Sequence, residues 1–153
     1  ARKIAELEPE AVRIYPCVVL KGTKLEKAMI SGEYTPQSVE EAVEICADLI
    51  DFYEKNGIKV IRAGLHSSDL AKNGSVAAGA FHPAFGEMCQ SELIYRKLRE
   101  KIIKNGVFSG VFCIAAKESD VSKTVGQKRK NIRRLEDEFD IKIKIAYIKE
   151  SER

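Results

Sequence analysis

The chain has 153 residues and a mass of 17.1 kDa, enough for one domain or two small ones, with 44% hydrophobic and 32% charged residues. That composition excludes a disordered chain, and the longest apolar run, Val111 to Ala116, is far short of the roughly twenty residues a membrane span needs. The net charge is +3, unevenly placed: residues 1–66 hold 9 Lys+Arg against 11 Asp+Glu, residues 67–153 hold 17 against 12, and 117–134 alone hold 7 against 2.

The first predicted strand is 12–21, VRIYPCVVLK, rich in β-branched residues. Pro16 restricts its front to an edge or a bulge, and Gly22 and Thr23 end it. Leu25, Ala28 and Met29 predict a short helix over 24–31, stopped by Gly32. Ser38 and Glu41 form a capping-box pattern. Val39, Ala42, Val43, Cys46, Leu49, Ile50 and Tyr53 then recur with helical period, so a helix is expected over 39–55, closed by Asn56-Gly57. Glu40, Glu41 and Glu44 read as helix-dipole and solvent chemistry rather than a catalytic pair. Residues 58–65, IKVIRAGL, predict a second strand, and strand–helix–strand with a helical crossover implies a parallel α/β sheet.

Residues 66–81 are rich in Gly, Ser and Ala and are expected to form a linker or a long loop. A helix is predicted over 85–104, with Phe85, Met88, Tyr95, Leu98 and Ile102 near one face. Then follow a short, fully apolar strand over 110–116, a short helix over 119–124 and a basic helix over 127–139 with Ile132, Leu135 and Phe139 buried. Residues 141–148 alternate at their start, which predicts a strand with one buried face and one wet face.

Cys17, Cys46, Cys89 and Cys113 lie at least 24 residues apart, each in an apolar stretch. Four reduced, buried thiols in a cytoplasmic protein are expected. No metal site is expected, since His82, Glu87 and Cys89 make a thin donor set. Phe81, His82, Pro83 and Phe85 are expected to dock the C-terminal part of the chain on the part before it.

Residues 110–148 follow the order strand, helix, Gly126-Gln127-Lys128-Arg129, helix, strand. This resembles the minimal KH motif, in which a G-x-x-G loop between two helices clamps the backbone of about four nucleotides. The resemblance implies backbone N–H groups at a helix N-terminus and close approach of phosphates. Gly126 matches the first glycine, whereas Arg129 stands in place of the second and its side chain blocks the closest approach. The expected RNA contacts are Gly126, Gln127, Lys128, Arg129, Lys130, Arg133 and Arg134, the cations acting through charge. A KH-like fold used only for packing or protein contacts is the equal alternative, and a solvated helix face is the plain reading of the charge itself.

A wider resemblance covers nearly the whole chain. Arg13-Ile14-Tyr15-Pro16, Gly22-Thr23, Leu25, Gly32-x-Tyr34 and Pro36 resemble the segment near the end of the radical S-adenosylmethionine (radical SAM) barrel in proteins like the Elongator catalytic subunit. Residues 81–95, FHPAFGEMCQSELIY, resemble the start of the C-terminal domain in short bacterial relatives that lack the acetyltransferase domain. Members of that family hold a four-iron four-sulfur cluster on a CxxxCxxC motif and cleave S-adenosylmethionine to a 5′-deoxyadenosyl radical; eukaryotic and archaeal members modify wobble uridine in tRNA. This sequence has no CxxxCxxC and begins Ala1-Arg2-Lys3. The resemblance implies the C-terminal part of a radical enzyme whose cluster segment lies upstream of Ala1. S-adenosylmethionine and the cluster then belong to the parent protein, and neither is expected in this chain alone. No acetyltransferase signature is present, so acetyl transfer is not expected.

Strand C-termini face the site in α/β barrels. The catalytic residues are unknown at this level, and Lys21, Arg62 and His66 are weak candidates. Lys21 would pair with a carboxylate or phosphate, and His66 would bind substrate or move a proton; a surface lysine and a loop-anchoring histidine are the ordinary readings. The expected fold is α/β: the terminal strand-helix-strand part of a radical SAM barrel at 1–66, a linker at 67–80, and a KH-like α+β domain at 81–153. Such a fragment is expected to position an RNA, with tRNA as the leading candidate. Its expected partners are RNA, the N-terminal remainder of the barrel, and a second copy through exposed barrel edges, with no membrane. The alternatives are a stand-alone KH-like module binding RNA or protein, and a small α/β binding protein with no nucleic-acid role.

Overall fold

The computed structural model describes residues 1–65, 74–106 and 108–148, so His66 lies outside the described residues. The chain divides into two compact units, Ala1–Cys89 and Gln90–Arg153. Among the described residues no helix is long and apolar enough to cross a membrane.

In the first unit a short helix α1 (Arg2–Ala5) precedes strands β1 (Ala11–Ile14) and β2 (Val18–Leu20). One strand was expected over 12–21, and two are found, separated at Tyr15-Pro16-Cys17. Proline brings no N–H to a ladder, and the chain changes partner there. β1 pairs in parallel with β3 (Lys59–Ala63), whereas β2 pairs antiparallel with β4 (Val76–Gly79). β4 corrects the expectation of an unstructured linker through residue 81. Its VAAG sequence is a weak strand former by itself, and β2 supplies the pairing. Gly79, at φ +100, permits the approach: a Cβ there would lie 2.9 Å from the Cys17 carbonyl oxygen.

Helix α2 (Lys24–Ile30) starts at Thr23, whose Oγ1 accepts from the Glu26 N–H at 3.2 Å. Helix α3 (Val39–Lys55) carries the expected capping box. Ser38 Oγ accepts from Glu41 N–H at 3.2 Å, and the Glu41 carboxylate accepts from Ser38 N–H at 2.8 Å. Its buried face, Ala42, Val43, Cys46, Ala47, Ile50 and Tyr53, supplies the core together with Ile14, Val19 and Ile58. α3 is the crossover that makes β1 and β3 parallel, as the sequence implies. Phe85, buried at the start of α4 (Phe85–Lys104), lies against Gly64, where a Cβ would be 3.0 Å from its ring.

The second unit takes up α4 from Gln90 and continues with β5 (Val111–Lys117), a 3-10 turn (Glu118–Asp120), α5 (Val121–Val125), a second 3-10 turn (Gln127–Arg129), α6 (Lys130–Phe139) and β6 (Lys142–Ile148). β5 and β6 pair in parallel from Val111↔Lys142 to Lys117↔Ile148. Tyr95, Leu98 and Ile102 of α4 and Ile132, Leu135 and Phe139 of α6 pack with Ile114, Ile141 and Ile143. β5 is apolar but buried on one face only, because the helices cover only the Ile114 and Ala116 side. One expectation is corrected here. The basic helix begins at Lys130 rather than Gln127, because Lys128 (φ 50) and Arg129 (φ 61) are left-handed.

The four cysteines are free, but only Cys46 and Cys89 are buried. Cys17 sits in the break between strands and Cys113 on the uncovered face of β5, so both are exposed. The neighbouring Cys46 thiol, with burial, keeps Cys89 protonated well above the ordinary thiol range.

Candidate nucleic-acid interface

The turn between α5 and α6 is fixed from beneath. Gly126 is buried, at φ +75, and a Cβ there would come within 3.0 Å of Asn131 Cγ and 3.1 Å of Asn131 N. Its N–H donates to the Ser122 carbonyl at 2.9 Å, and Arg129 N–H donates to the Gly126 carbonyl at 3.1 Å. Asn131 is 3% exposed. Its Nδ2 donates to the Ser91 carbonyl and Ser91 Oγ, both at 2.9 Å, and to the Lys123 carbonyl at 3.2 Å. Ser91 Oγ in turn donates to the Lys123 carbonyl at 2.9 Å. Sequence reasoning missed Asn131 and Ser91. The available signal was a polar residue four before Leu135, on the buried stripe of α6.

With Gly126 closed off by Asn131, close backbone approach at that glycine is not available, and contacts fall to the side chains around it. Gln127, Lys128, Arg129, Lys130 and Arg133 are all exposed. Among the described residues none of these four cations makes an ion pair, whereas the neighbouring arginines are engaged. Arg134 corrects the expected contact set. Its Nη1 donates to Glu92 at 2.6 Å, and its guanidinium lies 3.6 Å from the centroid of the Tyr95 ring. Arg99 pairs with Glu138 at 2.6 Å, and Tyr95 Oη donates to the same carboxylate at 3.0 Å. The Arg99 hydrogen bond holds Glu138 below the usual carboxylate range, while burial first, then that carboxylate, pushes the Tyr95 phenol up. Cations left without carboxylates at one turn are chemically suited to phosphate.

A cavity of about 610 Å³ lies at the far end of α6, lined by Gly110, Val111, Glu136, Asp137, Asp140, Ile141 and Lys142. Its three carboxylates disfavour a polyanion.

Among the described residues, the first-unit candidates Lys21 and Arg62 lie by different strand pairs and form no common site. Lys21 has an exposed side chain at the end of β2, and its N–H donates to the Ser75 carbonyl at 2.8 Å. Gly22 and Thr23 serve the start of α2, Gly22 N–H donating to Glu26 at 2.6 Å. Arg62 is exposed on β3 beside Arg13 of β1, in the other strand pair. His82 Nδ1 accepts from Ala84 N–H at 3.1 Å, a local role ahead of α4. Among the described residues no three His, Cys, Asp or Glu side chains converge on a metal position. Two of the cysteines face each other in the core and the other two sit in different units. The donor set does not fit an iron-sulfur cluster.

Residues 9–95, more than half of the chain, match the radical SAM C-terminal domain. The chain belongs to that family. The match ends within α4, so β5, α5, α6 and β6 of this radical SAM C-terminal segment lie beyond it. Among curated proteins, the chain is similar to a tRNA uridine(34) acetyltransferase of Methanocaldococcus jannaschii, 48% identical over 40 residues, which is 26% of this chain and 7% of that protein. It is also similar to an uncharacterized protein of the same organism, 41% identical over 51 residues, 33% of this chain and 16% of that protein. A tRNA uridine(34) acetyltransferase of Methanocaldococcus infernus is 46% identical over 37 residues, 24% and 7% of the two chains. The matched stretches thus span less than a fifth of these relatives. No solved structure matches the chain.

Proposed function

We propose that this radical SAM C-terminal segment belongs to an Elongator-like protein and that its second unit is KH-like and positions an RNA, tRNA first. The observation that carries this reading is the set Lys128, Arg129, Lys130 and Arg133, exposed and without acidic partners at one turn, in a unit whose Arg96, Arg99 and Arg134 are engaged by Glu92 and Glu138. Parallel β5 and β6 with the turn between two helices support the KH-like reading. Two relatives bear the name tRNA uridine(34) acetyltransferase, which favours tRNA over other RNAs. Family membership implies S-adenosylmethionine and a four-iron four-sulfur cluster in the parent; among the described residues no ligand set for a cluster converges, and this segment is not expected to turn over alone. In the proposed organisation, the strands of the first unit join the remainder of the barrel, and the second unit holds the RNA in a cytoplasmic enzyme.

Binding of tRNA and of a single-stranded control RNA, titrated against salt, tests this. Affinity should fall with salt, and the K128A/R129A/K130A variant should bind more weakly and lose about two units of the log–log salt slope. Absence of binding to either RNA at low salt sinks the reading and leaves a structural cap on the barrel.

A further inference from the structure

The β5–β6 sheet has a second face that the turn does not use. The parallel register sets Val111 beside Lys142, Cys113 beside Lys144, Ala115 beside Ala146 and Lys117 beside Ile148. All of these residues are exposed, on the face opposite Ile114, Ala116 and Ile143. Among the described residues the face therefore carries three ammonium groups and no carboxylate, with Val111 and Ile148 as exposed apolar side chains at its two ends. Cys113, Ala115 and Ala146 are small, so the floor between the lysines is low. Among the described residues the nearest acids in sequence, Glu118 after Lys117 and Asp140 two before Lys142, lie outside the strands, and no ion pair joins either to the three lysines, although Lys142 also borders the cavity that holds Glu136, Asp137 and Asp140.

Topology sets the basic turn and the Lys117 end of the lysine face toward the same end of the sheet. Lys142 N–H donates to the Gly110 carbonyl at 2.8 Å, which places the C-terminal end of α6 at the start of the sheet. α6 packs along the sheet through Ile132, Leu135 and Phe139. Its N-terminal end, with Lys128, Arg129 and Lys130, therefore lies toward the end where β5 finishes at Lys117.

We infer that the open β5–β6 face, through Lys117, Lys142 and Lys144, is a second docking surface for the sugar-phosphate backbone of an RNA, extending the track that begins at the turn. The inference rests on the reading of this unit as RNA-positioning. Charge complementarity selects the occupant: a face with a low floor whose charged groups are all cationic suits a phosphate backbone. The ordinary role of outward lysines on a small sheet is to discourage pairing with other strands, and that role requires no effect on RNA.

The test uses the full chain and fluorescence anisotropy with folded tRNA across a salt series. Three variants are compared: K117A/K142A/K144A, K117R/K142R/K144R and K128A/R129A/K130A. Circular dichroism checks that each is folded, which the exposure of every substituted side chain leads one to expect. The sheet alanine variant should bind about tenfold more weakly at fixed salt and lose about two units of salt slope, and the arginine variant should bind like the parent. If the sheet alanine variant keeps the parent's affinity and slope, the inference is overturned, and the lysines serve edge protection or an acidic protein. If the turn variant binds normally while the sheet variant fails, the turn reading falls and the sheet surface stands.

Discussion

Asn131 shows how one side chain sets the shape of the basic turn. It is buried beneath Gly126 and shares its amide protons among acceptors on Ser91 and Lys123. Asn131→Ala removes those hydrogen bonds, and each such loss costs about 0.5–1.5 kcal/mol. We expect urea unfolding of the variant to show a destabilisation in that range and tRNA affinity to fall, because the turn loses its floor. Gly126→Ala acts from the other side, placing a Cβ 3.0 Å from Asn131 at a positive φ. It should also weaken RNA binding, although no charge is removed. Unchanged affinity in both variants would show that the side chains of Lys128 to Arg133 bind RNA without a fixed turn.

At the scale of elements, α3 and β4 behave oppositely. α3 is held at its start by its own sequence. Ser38→Ala removes the cap and should cost about 1 kcal/mol at neutral pH. The backbone N–H and hydroxyl of Ser38 hold the Glu41 carboxyl below its ordinary value. A carboxylate with a depressed folded pKa stabilises the fold above its unfolded pKa, and that contribution is lost as pH falls through the folded value. The gap between parent and S38A stability should therefore be full at neutral pH and narrow in acid; a gap independent of pH would contradict the capping box. β4 depends on a distant partner instead. Gly79→Ala places a Cβ against the Cys17 carbonyl and should raise amide exchange at Val19 and Leu20, leaving α3 protected.

The same contrast explains what the sequence could reveal. The cap, the helical period of α3 and α4, and the alternation at Ile141 to Ile145 are local signals and read directly. β4 has no β-branched run and exists because β2 accepts it. The left-handed Lys128 and Arg129 follow from packing under Gly126, and nothing in their residue types announces it. Arg134 looked like its neighbours in a basic run, and only its pairing with Glu92, 42 residues away, removes it. Cys17 and Cys113 looked buried because apolar neighbours surround them in sequence, whereas exposure is decided by which sheet face the helices cover.

At the scale of the molecule, the first unit is a radical SAM C-terminal segment whose strands have few neighbours. Among the described residues β1 pairs only with β3, and β2 only with β4. Each pair therefore offers backbone N–H and C=O groups along its outer edges, which template pairing with another chain. Ile61 on β3 is 50% exposed and Tyr15, at the end of β1, is 50% exposed, so apolar surface lies beside those edges. In the parent the remainder of the barrel is the proposed neighbour; in the isolated chain a second copy is the available one. Sedimentation velocity over a concentration series should show reversible self-association, reduced by Ile61→Lys, which adds a charge at a position already half open to solvent. A single monomeric species at the highest attainable concentration would contradict this. The basic turn and the lysine face both belong to the other unit. Ile61→Lys should therefore leave tRNA affinity per chain unchanged while it reduces association, and a parallel loss of both would mean that the RNA surface is completed by the second copy.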